Sequence, residues 1–118
     1  MTLTTLVTGS RGAAREAAIV AVLATQIDLS TALILEGLPD GQPALTSSPT
    51  LFIARIVPGC PCCIGNLTLR VTLNRILRHP PARLYISLAP NAHLGKLRDF
   101  LTQAPYDKLL VLCADIGV

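Results

Sequence analysis

Apolar positions along the chain come in short runs whose internal spacing alternates between two kinds. Thr2–Thr8 is β-branched and apolar, and it gives way to Gly9-Ser10-Arg11-Gly12 and then to an alanine-rich stretch, residues 13–24, of high helix propensity. A strand, a glycine-containing loop and a helix are expected in that order. Residues 31–35 form a second apolar run, stopped by Gly37, Pro39 and Gly41, and the Gly-, Pro- and Ser-rich residues 37–49 read as a surface loop. Residues 51–57 make a third strand that leads directly into a cysteine-rich segment. After it, Leu69, Leu73, Ile76 and Leu77 fall at helical spacing, with Arg70, Asn74 and Arg78 on another, solvated face. Beyond His79-Pro80-Pro81, Arg83–Leu88 is a strand, residues 93–102 are a helix with Leu94, Leu97 and Leu101 on one side, and residues 108–113 are the last strand.

Short, continuously apolar strands alternating with helices imply a mainly parallel sheet, covered on both faces and joined by right-handed crossovers. The expected fold is therefore α/β: a single three-layer domain over residues 1–118, with about five strands and about three helices. No unit recurs at a fixed period.

Composition narrows the possible roles. Hydrophobic residues make up 51% of the chain and charged residues 14%, which excludes disorder and leaves more apolar surface than usual to cover. Ile19, Val20, Val22 and Leu23 spread around most of the first helix, which has no charge between Glu16 and Asp28, so a homo-oligomer is expected. A net charge of +3, dispersed arginines and 3% aromatics give neither a nucleic-acid footprint nor a stacking platform. No apolar stretch approaches a membrane span, and a cytoplasmic location is expected.

In a reducing compartment, clustered cysteines read as metal-binding or redox-active before they read as disulfides. Cys60-Pro61-Cys62-Cys63 packs three of the four cysteines into four positions, just after Pro58-Gly59. Three thiolates this close can share one soft ion at about 2.3 Å, because the loop is tight and Pro58, Gly59 and Pro61 set its turns. A helix beginning near Ile64 would turn its positive end toward Cys62 and Cys63 and favour the thiolate. Vicinal Cys62-Cys63 argues against a redox disulfide. Cys113, within an apolar run, reads as a core strand residue.

The first loop has the position and length of a phosphate-binding Walker A loop. Thr8-Gly9-Ser10-Arg11-Gly12-Ala13-Ala14-Arg15-Glu16 keeps only the first glycine of G-x-x-x-x-G-K-[ST]. Taken with Gly59-Cys60-Pro61-Cys62-Cys63 after a later strand, the order resembles the CobW-type metallochaperone GTPases, a P-loop family that handles zinc, cobalt or nickel. The cysteine motif matches that family's pattern in full, and Thr8-Gly9 followed by Gly12 is similar to its loop start. Arg83-Leu84-Tyr85-Ile86-Ser87 lies where the family has its Walker B-like strand, and residues 109–115 are similar to the next strand, which ends in an aspartate.

The departures concern nucleotide chemistry. Ala14 stands for the second loop glycine, Arg15 for the phosphate-binding lysine, and Glu16 for the hydroxyl residue that ligates Mg²⁺. A carboxylate at position 16 is expected to repel a triphosphate, while Arg15 keeps a charge that could attract an anion without lysine's geometry. Ser87-Leu88-Ala89-Pro90 replaces the acidic residue and turn after the Walker B-like strand. Within residues 1–118 neither a guanine-reading segment nor the family's C-terminal domain is expected. The resemblance thus implies a truncated, P-loop-like relative with a degenerate phosphate loop (Gly9, Gly12, Ala14, Arg15, Glu16), no GTPase activity and no tightly bound nucleotide.

By this topology Glu36, Asp40 and His93 share the strand C-terminal edge with the cysteine loop, which makes each a candidate fourth metal ligand beside water or a group from a second subunit, although Glu36 and Asp40 read first as an acidic surface loop; His79 reads as an ordinary surface residue. Two function classes follow. The first is a small metal-binding protein holding Zn²⁺, or Co or Ni, through Cys60, Cys62 and Cys63, with a metalloprotein client. The second is an interaction or regulatory scaffold that pairs with itself or with a full-length relative, its cysteines being structural.

Overall fold

The computed structural model describes residues 2–9, 11–25, 30–36, 48–56, 64–88 and 94–118. The elements run β1 (Thr2–Thr8), α1 (Gly12–Leu23), β2 (Thr31–Glu36), β3 (Leu51–Ile56), α2 (Ile64–Ile76), β4 (Arg83–Leu88), α3 (Leu94–Leu101), a 3₁₀ turn (Tyr106–Lys108), β5 (Leu110–Leu112) and β6 (Ile116–Gly117). Every strand pair is parallel, in the order β3-β2-β4-β1-β5, with β6 continuing alongside β1. This is the expected α/β fold with a P-loop-like parallel sheet.

Strand alternation sorts the core into two layers. Leu6, Ala32, Ile34, Leu84, Ile86 and Leu88 point to one face, where Leu69, Leu73 and Ile76 of α2 and Leu97 and Leu101 of α3 cover them. Val7, Leu33, Leu35 and Tyr85 point the other way and meet Ile19 of α1. The three-layer arrangement follows from these two sets. Crossovers through α1 run along the sheet in one direction on one face, and those through α2 and α3 run in the opposite direction on the other, as a single hand of connection requires. All six residues of β2 are buried, which explains its unbroken apolar run.

Several expectations need correction. Residues 108–113 are not all strand: Lys108 closes the 3₁₀ turn and Leu110–Leu112 pair with β1, while Leu109 O and Cys113 N add one main-chain hydrogen bond each to β1, from Thr2 N at 3.0 Å and to Thr4 O at 2.8 Å. Cys113 lies just beyond that edge strand, partly exposed, with its thiol 3.9 Å from the Val111 carbonyl; it is not a core strand residue. An edge strand has one neighbour, so an apolar run there does not imply two-sided burial. The two-residue strand β6 carries no periodic signal and was not expected. On α1, Val20, Val22 and Leu23 pack at least partly against the sheet, so the apolar surface expected to seek a partner is half-covered within the chain. Arg70 and Asn74 are exposed as expected, yet each has a role. The Arg70 guanidinium sits 5.4 Å from the Phe100 ring centroid, and Asn74 Oδ1 accepts a 2.9 Å hydrogen bond from the Tyr106 hydroxyl. Among the described residues no helix is long and apolar enough to cross a membrane.

Candidate metal-binding edge and altered phosphate loop

Parallel strands end together, so the segments after β1, β2, β3 and β4 all leave from one edge of the sheet. Register fixes what lies there. Glu36 at the end of β2 is paired with Ile56 at the end of β3, one residue before the segment 57–63 that carries the cysteines. Glu36 has the same parity as Ala32 and Ile34, which face α2, and α2 begins where that segment ends. Its carboxylate is therefore on the side of the sheet that α2 covers.

Glu36 is only 8% exposed, and its Oε2 has no hydrogen-bond partner among the described residues. A buried carboxylate oxygen without a donor is costly, roughly 1–3 kcal/mol or more, and native structures seldom carry one without a reason. Cys60, Cys62, Cys63, Asp40 and His93 lie outside the described residues. Among the described residues, no group of three or more His, Cys, Asp or Glu gathers closely enough to hold an ion.

The segment between β1 and α1 is held by side chains of its own and of the neighbouring strands. Arg15, in the first turns of α1, is 4% exposed. Its Nη1 donates to the Gly9 carbonyl at 2.6 Å and its Nε to Ser87 Oγ at 2.8 Å. The guanidinium therefore ties the loop to the end of β4 instead of standing open over it. Glu16, next along, receives both terminal nitrogens of Arg55: Nη2 to Oε1 at 3.0 Å and Nη1 to Oε2 at 3.3 Å. Its charge is paired inside the fold with a cation from β3, which offsets part of the repulsion expected at position 16.

Gly9 has a second constraint. A Cβ there would lie 2.7 Å from both the Val118 side chain and its carbonyl oxygen, and the Val118 amide donates to the Thr8 carbonyl at 2.9 Å. The chain after β6 runs directly over the first loop, so glycine is required by close approach. Arg55 was the missed signal: a lone cation in the apolar strand Leu51–Ile56 needs an acid, and Glu16 is the one acidic residue of the facing helix α1.

Comparison with known proteins bears on this edge. The chain is similar to a zinc chaperone. It shares 31% identity over 124 aligned residues with zinc chaperone YeiR of Escherichia coli (strain K12), a match that takes in all of this chain and 37% of that protein. The chain thus spans little more than a third of its relative's length. No family model matches the chain. No solved structure matches it either.

Proposed function

We propose that the chain binds a zinc-like divalent ion as cargo through Cys60, Cys62 and Cys63, with Glu36 as the fourth ligand. The observation that carries this reading is the buried Oε2 of Glu36, without a hydrogen-bond partner among the described residues, beside the strand end from which the cysteine segment departs. Three thiolates and one carboxylate suit a tetrahedral site for a borderline-soft ion, and a carboxylate is the more easily exchanged ligand. Similarity to a zinc chaperone across the whole chain supports zinc over other ions, as does the cysteine motif of the CobW-type proteins.

Binding requires the thiols to give up protons, so uptake should release acid and strengthen as pH rises. The role is handling of the ion without nucleotide turnover. Arg15 is committed to Gly9 and Ser87, and Glu16 to Arg55, which leaves neither the lysine nor the hydroxyl on which phosphoryl transfer at such loops depends.

Cobalt substitution tests the ligand set. The reduced protein loaded with Co²⁺ should show strong thiolate-to-metal charge-transfer absorption that weakens on changing any of Cys60, Cys62 or Cys63 to Ser and survives Cys113→Ser. Absence of the band from the fully reduced wild-type protein returns the cysteines to a structural role and favours the scaffold reading.

A further inference from the structure

The opposite edge of the sheet carries a cleft unrelated to the metal-binding edge. Its volume is about 530 Å³, and it lies where β2 and β3 begin, under the last turn of α2. That size suits a small molecule; clefts of roughly 300–1,000 Å³ hold drug-sized ligands. Its chemistry is one-sided. Arg75, Arg78 and His79 of the α2 end line it together with Ser48 and Thr50, and no carboxylate is among the described lining residues.

The hydroxyls are held in place. Ser48 and Leu51 exchange two main-chain hydrogen bonds, at 3.0 and 3.1 Å, that close a tight turn. Within it, Ser48 Oγ and Thr50 Oγ1 stand 3.3 Å apart. One of the cations is also held. The Arg75 guanidinium lies 5.6 Å from the centroid of the Phe52 ring, which is 39% exposed in the same cleft. Arg78 and His79 have no side-chain hydrogen bond or ion pair among the described residues; the ion pairs there are Arg55–Glu16 and Arg98–Asp115.

A helix C-terminus accounts for one cation through its dipole, but not for three side chains in five positions. The last carbonyls are moreover served by main-chain donors, Leu77 N to Leu73 O at 2.9 Å and His79 N to Ile76 O at 3.2 Å, which frees the side chains for a ligand. Two guanidinium groups, an imidazole and two hydroxyls lining a cleft with no acid among its described residues match a phosphate group, whose oxygens can accept from each of these donor types.

We propose that this cleft binds a small phosphate ester, with the phosphate between Arg78, His79 and the Ser48–Thr50 turn and the remainder of the molecule against the Arg75–Phe52 stack. A cleft of about 530 Å³ has room for a small ligand, not for a polymer's extended backbone. The site is independent of metal binding.

The experiment is titration of the full chain, freed of metal, with inorganic phosphate, ribose 5-phosphate, adenosine 5′-monophosphate and adenosine, followed by calorimetry and by two-dimensional NMR. The three phosphate-bearing probes should saturate at about millimolar or tighter affinity, the esters more tightly than inorganic phosphate. Amide shifts should concentrate at residues 48–52 and 75–79. Arg75→Ala/Arg78→Ala, both on the surface, should keep the native circular dichroism spectrum and weaken ester binding by at least about tenfold, while Glu36→Gln leaves it unchanged. The proposal is overturned if no phosphate probe saturates by 10 mM-scale concentrations, roughly the weak limit of specific binding. Equal binding of adenosine overturns it too, as do shifts centred on residues 9–16, retention of affinity in the double variant, or tighter binding of a short DNA strand than of the monophosphate.

Discussion

Glu36→Gln separates a ligand from a structural residue, because the two roles move stability in opposite directions. Glutamine keeps the shape of glutamate but removes the charge, so the metal-free protein is relieved of a buried carboxylate oxygen that has no donor among the described residues. The gain should be about 1–2 kcal/mol. Unfolding entropy of about 2.1 cal/mol/K per residue over 118 residues gives roughly 250 cal/mol/K, so each kcal/mol moves Tm by about 4 °C. In excess chelator the variant should therefore melt about 4–8 °C above wild type. Zinc reverses the order. At a free concentration of 100 Kd, wild type gains about 2.7 kcal/mol, or about 11 °C, whereas a variant with one ligand weakened gains much less. Scanning calorimetry with chelator and with buffered zinc reads both effects on the same two samples. A lower Tm for the variant in chelator would mean that Glu36 has structural partners, and an equal zinc-induced rise in both proteins would remove it from the ligand set.

Other outcomes follow from the described residues. Arg15→Ala should lower stability by about 3–5 kcal/mol, read as a fall in the urea midpoint, because it strips the donors from the buried Gly9 carbonyl and Ser87 hydroxyl; a loss under about 1 kcal/mol would mean that the guanidinium does not hold the loop. A double-mutant cycle of Glu16→Gln and Arg55→Met should give a coupling of only about 1 kcal/mol, since the pair is partly solvated, and no coupling would refute the bidentate contact. Burial pushes the Tyr106 phenol above its ordinary 10.0, with the Arg70 guanidinium pulling the other way. Above about pH 10 the unfolded chain loses this proton before the folded one does, so stability should fall as pH rises through that range. Urea titrations from pH 9 to 11 should show that slope in wild type and a flatter one in Tyr106→Phe.

The layering of the fold was legible because strands buried on both faces leave unbroken apolar runs, as in Thr31–Glu36, and helices leave a spaced stripe such as Leu69, Leu73 and Ile76. What escaped was whatever depends on neighbours in the sheet. Leu110–Leu112 reads the same at an edge as at the centre, so Cys113 was assigned to a core it does not enter. Ile116–Gly117 is too short to have a period. In the candidate site, the types of residue were readable but their commitments were not: Arg15 looked available to an anion, and only the pairing of β1 with β4 brings Ser87 within its reach. The prominence of Glu36 likewise comes from the register that sets it against Ile56.

Strand order also constrains how the molecule is made. β1 lies between β4 and β5, and Thr2 donates its hydroxyl proton to a carbonyl 79 residues further along. Although β1 precedes β2 and β3, it can take no neighbour until β4 has left the ribosome. At about 5–20 residues per second, that leaves Leu6 and Val7 waiting for roughly 4–16 s, while β2 and β3 can already pair with each other. Topologies with such distant pairings close late and slowly. A nascent chain stopped before Arg83 would display the first strand's apolar residues without their partners, so translation speed and holding chaperones should affect the yield of this protein more than its modest size suggests.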